Sequence, residues 1–239
     1  MKNEFIRAFR NKFFLFYLGI GLLFILLGYI LLITIDNVKN ITFPDLSLSV
    51  YTVFSQFGPM IYTALIITTI SSDYKDKNIV FYKEMGNSSV KYFLKKVGVI
   101  FIISVFTSFL VSSIVCLLYN RIDMLLPYLL KLEALLLSFG ILNLIIVFVF
   151  KNFTKSFFIN LMLWIGGIVL AGTNDNLSFL AYFDASMNNY NTFERIIDKK
   201  ILNPYTLVLN DYLFVFIILI LAIVMSYILK KRWWKNGIQ

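Results

Sequence analysis

Along this chain apolar positions neither alternate with polar ones nor recur as one-sided stripes. They gather into six long runs, at about 13–35, 51–72, 97–119, 132–150, 156–172 and 212–229. A bilayer core about 30 Å thick takes roughly 20 helical residues to cross, so each run predicts one transmembrane helix. A membrane-spanning strand would instead show about ten residues of alternating character. Runs that are apolar all round read as helices with no water-facing side. The segments between them are too short for a separate soluble domain, and residues 1–239 read as one transmembrane domain.

Three segments outside the runs carry amphipathic patterns. In 1–12, Phe5, Ile6 and Phe9 oppose Lys2, Arg7 and Arg10, the pattern of a helix resting in the membrane interface. In 73–96, Asp73 opens a polar stretch, Ile79, Tyr82 and Met85 recur at helical spacing, and Gly86-Asn87 is a stop signal. That spacing predicts a short helix across the membrane surface; the plainer reading is a solvated basic loop. In 173–211, Asn191 and Glu194 resemble a helix-start box, Phe193, Ile196, Ile197 and Ile201 share one face, and Asn203-Pro204 marks an end. An amphipathic helix on or slightly within the outer leaflet is expected there.

Charge adds orientation. With the N-terminus inside, Lys2, Arg7, Arg10, Lys12, Lys75, Lys77, Lys83, Lys91, Lys95, Lys96, Lys151, Lys155, Lys230, Lys231, Arg232 and Lys235 all fall in the cytoplasm. They are sixteen of the 22 Lys and Arg residues. The positive-inside rule then puts both termini in the cytoplasm. A net charge of +9 is a basic inner face opposite anionic lipid, and nucleic acid is not an expected partner. Composition agrees: 59% of residues are hydrophobic, 15% are charged, and mean hydropathy is +0.81. The first run is longer than a signal-peptide core and no small-residue cleavage site follows, so it reads as a retained helix.

Little in the chain points to catalysis. There are no histidines, which removes His-based metal sites, proton relays and Ser-His or Cys-His nucleophiles. The lone Cys116 reads as a small apolar filler. No G-x-x-x-x-G-K-[ST] loop occurs, so neither ATP nor any other cofactor is expected in this chain. A membrane-embedded enzyme would need convergent acids and bases at membrane depth, and the acidic residues lie mostly in loops.

Gln56, Asn143 and Asn160 interrupt the runs and read either as interhelical hydrogen bonds of about 1 kcal/mol or as pathway lining. Lys131 and Glu133, two apart, face different sides and are expected to snorkel to the outer interface unpaired. Pro59 is expected to kink the second helix, and Gly166-Gly167 to let the fifth pack closely.

The order of these features resembles the ABC-2 type transporter permeases, whose fold is that of type V exporters. The resemblance is carried by the amphipathic N-terminus, the six helices, Asp73 and Lys75 before the short helix at 79–85, and the small-residue turn from Gly86 to Ser89. Tyr92-Phe93, Lys95 or Lys96, and "ILNPY" before the last helix complete it. The chain departs from that pattern at Asn78-Ile79, where Gly-Thr-Leu is usual, and at Val90-Lys91, where Arg is usual. Its small size is similar to permeases of peptide exporters and bacteriocin-immunity transporters, including that of the phenol-soluble modulin exporter.

The resemblance implies that the 73–96 loop is a coupling helix docking into a separate ABC ATPase subunit through Asp73, Lys75, Ile79, Tyr82, Met85 and Gly86. ATP and Mg would be held by that partner. It further implies pairing with a second permease copy or a related permease, short re-entrant helices in 173–211, residence in a bacterial cytoplasmic membrane, and export of amphipathic or hydrophobic peptides such as toxins or antimicrobial peptides. A non-transporting scaffold or immunity protein that binds a toxin peptide is the alternative.

Overall fold

A computed structural model describes residues 2–198 and 205–235. Ten α-helices follow in order: α1 (Lys2–Arg10), α2 (Phe13–Thr34), α3 (Phe43–Lys75), α4 (Asn78–Glu84), α5 (Ser89–Leu118), α6 (Leu125–Phe150), α7 (Phe153–Thr173), α8 (Asn188–Ile197), α9 (Tyr205–Ile228) and α10 (Lys230–Lys235). Short 3-10 helices lie at Ile122–Met124 and Asp175–Ala181. Among the described residues there is no strand. Helices α2, α3, α5, α6, α7 and α9 are long and apolar enough to cross a membrane, as the six runs predicted. An even number of spans returns the chain to one side, and α1, α4 and α10 share the end called inner here.

Most spans begin or end beyond their apolar runs because local signals extend the helix. Helix α3 starts at Phe43 behind a capping box, with Thr42 and Asp45 bonding reciprocally and the Thr42 amide 2.8 Å from Asp45 Oδ2. Its 33 residues measure about 50 Å, well over the membrane core. Helix α5 starts at Ser89 because the Ser88 hydroxyl accepts from the Lys91 amide. Helix α3 therefore passes the membrane core with polar residues at its ends, and α5 carries polar residues past the inner boundary. The inner-side reversals at Lys12, Lys77 and Lys151 and the outer-side ones at Asn37 and Asn120 all adopt left-handed backbone without glycine.

Helix α6 is the axle of the bundle, packed against α3, α5, α7 and α9, and it is the most buried span. Small residues set the closest approaches, as in other helix packings within lipid. A Cβ on Gly140 would sit 2.5 Å from Ile100 Cγ2 of α5, and one on Gly28 would sit 3.0 Å from the Val50 backbone nitrogen of α3. The Ser49 hydroxyl donates to the Gly28 carbonyl at 2.9 Å, closing the same contact. The expectation for Gly166-Gly167 holds only in part. Gly166 faces open space, and Gly167 approaches the Leu180 carbonyl of the outer 3-10 helix rather than another span. Helix α3 continues through Pro59.

The outer helix α8 begins at Asn188 behind Met187, so no start box forms at Asn191 and Glu194. Phe193, Ile196 and Ile197 do share its buried face, which lies on the tops of α3 and α6: Phe193 stacks on Tyr128 at 6.0 Å and meets Tyr51 at 5.2 Å. Ile201, Asn203 and Pro204 lie outside the described residues. Substituting Gly28 by Ala should force α2 from α3 and cost about 1–3 kcal/mol. Thermal unfolding in detergent should show this loss, while Gly19→Ala, which meets nothing within 4 Å, should leave the melting curve in place.

Candidate functional site

The polar inner loop does not hang free. Asp73, in the last turns of α3, is fully buried. Its carboxylate is ion-paired with Arg7 of α1 and with Lys96 of α5 at 2.8 Å, and it accepts from the Tyr92 hydroxyl at 2.8 Å. Lys96 reaches in the other direction to Glu4 at 2.9 Å. The Tyr82 hydroxyl of α4 donates to Glu4 and accepts from Arg7 Nη1 at 3.1 Å. Two acids and two bases close a neutral ring, and the Lys96 ammonium also lies 5.4 Å from the centre of the Tyr92 ring.

Spacing explains how four elements reach one point. Glu4 and Arg7 are three apart on α1, and Tyr92 and Lys96 are four apart on α5, so each pair shares a face. Tyr82 is brought inward by α4, whose Ile79 is buried. The turn after α4 is tied down by Gly86 in left-handed conformation, by Asn87 Nδ2 donating to the Tyr82 carbonyl at 2.9 Å, and by Lys95 Nζ donating to Asn87 Oδ1 at 2.6 Å. Burial, reinforced by the Glu4 hydrogen bond, pushes the Tyr82 phenol well above its usual range and keeps it a donor. Burial alone would lower the Arg7 guanidinium, but the adjacent Asp73 outweighs it and the net direction is upward.

This arrangement sorts the six expected loop residues into two groups. Asp73, Ile79 and Tyr82 face the bundle, while Lys75, Met85 and Gly86 are exposed. Phe81, which the helical spacing did not single out, is 61% exposed beside Met85 at 54%. Two large apolar side chains thus stand exposed on α4 and its C-cap, on the inner side.

A second polar cluster closes the outer end and corrects the expectation for Lys131. Lys131 does not snorkel; it is 1% exposed, ion-paired to Asp211 of α9 at 2.9 Å, and donates to Asn189 of α8. Asn189 Nδ2 donates to the other Asp211 oxygen at 2.6 Å. The Tyr51, Phe183 and Phe193 rings surround the ammonium at 5.4–5.5 Å. Glu133 does not snorkel either: it is buried and accepts from Tyr212 at 2.9 Å, although, as expected, the two residues do not pair with each other.

The intramembrane amides divide as well. Asn160 Nδ2 bonds the Pro59 carbonyl at 3.3 Å and Thr63 Oγ1 at 2.7 Å, which fastens α7 to α3. Gln56 Nε2 donates to Asp184 Oδ2 at 3.1 Å, fastening α3 to the outer segment. Asn143 Oδ1 is buried and has no donor. No group of three or more Cys, Asp or Glu residues suited to a metal ion occurs among the described residues.

Removing one partner of a buried ion pair strands the other charge and costs about 3–5 kcal/mol, whereas replacing both with apolar residues is often neutral. Asp211→Leu should therefore sharply lower thermal stability, and the double substitution Lys131→Met with Asp211→Leu should recover most of the loss. Equal melting of the single and double variants would contradict the pairing.

Comparison with known proteins bears on what this scaffold carries. A family model described as the peptide export permease protein YydJ family matches residues 1–238. A probable peptide export permease protein YydJ from Bacillus subtilis (strain 168) is 30% identical over 243 residues, covering 100% of both chains. No solved structure matches. With six membrane-crossing helices and a match along nearly its whole length, this chain belongs to the YydJ family of peptide export permeases, a multi-pass transport subunit rather than an enzyme.

Proposed function

We propose that the chain is the permease subunit of an ATP-driven exporter that moves amphipathic or hydrophobic peptides, toxins or antimicrobial peptides among them, out of a bacterial cell or its cytoplasmic membrane. ATP and Mg belong to a separate ABC ATPase chain, which docks on the outward face of α4. The observation that carries this reading is the two-sided character of that helix. Phe81 and Met85 stand exposed on one side, and Tyr82 on the other joins the ring of Glu4, Arg7, Asp73 and Lys96.

A push on α4 is passed through that ring to the inner ends of α3 and α5. Because both helices run on into the membrane, a small displacement of the loop tilts two spans at once. Lys75 and Gly86, exposed at either end of α4, flank the docking face, while Asp73, Ile79 and Tyr82 transmit its movement. Two permease protomers, identical or related, enclose the path.

Docking and transmission separate experimentally. Phe81→Asp or Met85→Asp puts a charge into an apolar interface. Either should reduce recovery of the co-expressed ATPase at least tenfold while membrane insertion persists. Tyr82→Phe keeps the outer face and removes the hydroxyl from the ring; the ATPase should still co-purify, with its peptide-stimulated activity diminished. Unchanged recovery with all three variants would remove α4 from the interface. Failure to recover any ATPase with the parent chain would favour a non-transporting scaffold or immunity protein.

A further inference from the structure

Between α3, α6 and α7 lies a cavity of about 520 Å³, roofed by the outer segment around Leu180–Asp184. Its walls are apolar, with Phe139, Leu142, Ile146, Leu163 and Phe214 among the lining side chains. The size falls in the ~300–1,000 Å³ range of small-ligand sites, too small for a whole peptide and enough for several of its side chains.

Two polar features give the cavity a chemical preference. The first is Asn143, 1% exposed, a residue of the cavity wall at membrane depth whose Oδ1 is itself buried and lacks any donor. An acceptor left unmatched in an apolar setting costs about 1–3 kcal/mol, so a ligand that brings a donor gains that amount back. The second is Asp184 at the outer rim, 5% exposed. It accepts from Gln56 Nε2 and from the amide and hydroxyl of Ser186, yet no described Lys or Arg forms an ion pair with it. An acyl chain has neither a donor for Asn143 nor a cation for Asp184. A cationic amphipathic peptide has both, on a backbone that also carries apolar side chains.

We propose that this cavity, within a single protomer, is a binding pocket for the apolar face of a cationic amphipathic peptide, with a hydroxyl or amide donor of the peptide meeting the Asn143 side-chain amide as it turns toward the ligand, and a basic side chain beside Asp184. The proposal rests on the peptide-export reading and adds to it where on the permease the cargo is held. The pocket opens sideways: Leu142 and Leu163, which line it, are 41% and 61% exposed on the flank of the bundle. Cargo can then enter from the bilayer, where an amphipathic peptide already accumulates. The Gln56–Asp184 bond and the Tyr51 hydroxyl on the Phe183 carbonyl hold the roof in place above it.

The test uses the full chain in lipid nanodiscs with an 18-residue Leu/Lys/Ser helical peptide carrying a diazirine on one leucine. Light-induced adducts are mapped by mass spectrometry and binding is followed by fluorescence anisotropy. Adducts are expected on Leu142, Leu163 or Phe214. Asn143→Leu should weaken binding about tenfold, the loss of one buried hydrogen bond, and Leu142→Trp, which fills the cavity without removing the acceptor, should weaken it too. A parallel arm carries diazirine-labelled phosphatidylethanolamine. If the lipid labels the cavity while the peptide labels other surfaces, or if both variants bind as the parent does, the pocket assignment is overturned and export is untouched. If the peptide neither binds nor labels a monodisperse parent chain, the pocket and the export reading fall together.

Discussion

A carboxylate sealed from water at the inner end of a membrane helix is costly unless cations and hydroxyls come to it, and Asp73 sets that condition for everything around it. Arg7, Lys96 and Tyr92 meet the demand directly, and Glu4 and Tyr82 meet the demands that Arg7 and Lys96 create in turn. The position of the interfacial helix, the start of α5 and the inward face of α4 all follow. The Tyr92 ring, 5.8 Å from Trp233, extends the same assembly to the C-terminal helix. An ionic ring of this kind holds four segments in one geometry more firmly than apolar contacts in lipid, where helix faces gain little by leaving the acyl chains.

The apolar spans were legible in sequence because lipid demands long runs without charge, and all six runs became helices. Their ends were less so. Phe43 to Ser49 and Ser89 to Lys96 are helical for reasons of capping, and their polar side chains lowered the hydropathy by which a span is recognised. The short helix in the polar loop was visible from Ile79, Tyr82 and Met85, but not that Tyr82 turns inward while Phe81 turns outward. That division depends on Glu4 and Arg7, more than seventy positions away. Lys131 was misplaced for the same reason: its partner is 80 residues along the chain, at the outer end of a helix whose apolar run begins one residue later.

Polar chemistry is thus concentrated at the two ends of the bundle, with helix α6 between them. The inner ring joins α1, α3, α4 and α5; the outer cluster joins α6, α8 and α9. Helices α3 and α6, in contact with each other, connect the two. In such an arrangement each end can hold its geometry by ionic contacts, while the middle, made of small residues and apolar side chains, can shift without stranding a charge. Asn143, a buried mid-membrane acceptor without a donor, lies beside the cavity in that middle.

The left-handed reversals carry a consequence for how the chain sits in a bilayer. On the inner side they fall on Lys12, Lys77 and Lys151, which cap the start of α2, the start of α4 and the end of α6, so a residue that caps a helix is also one of the charges that resists crossing the lipid. For a span to slide outward along its axis, a fixed bend and an ammonium group would have to enter hydrocarbon together. The reversals therefore act as stops on vertical drift: helices can tilt and swivel about their inner ends, but their depth in the membrane is set residue by residue.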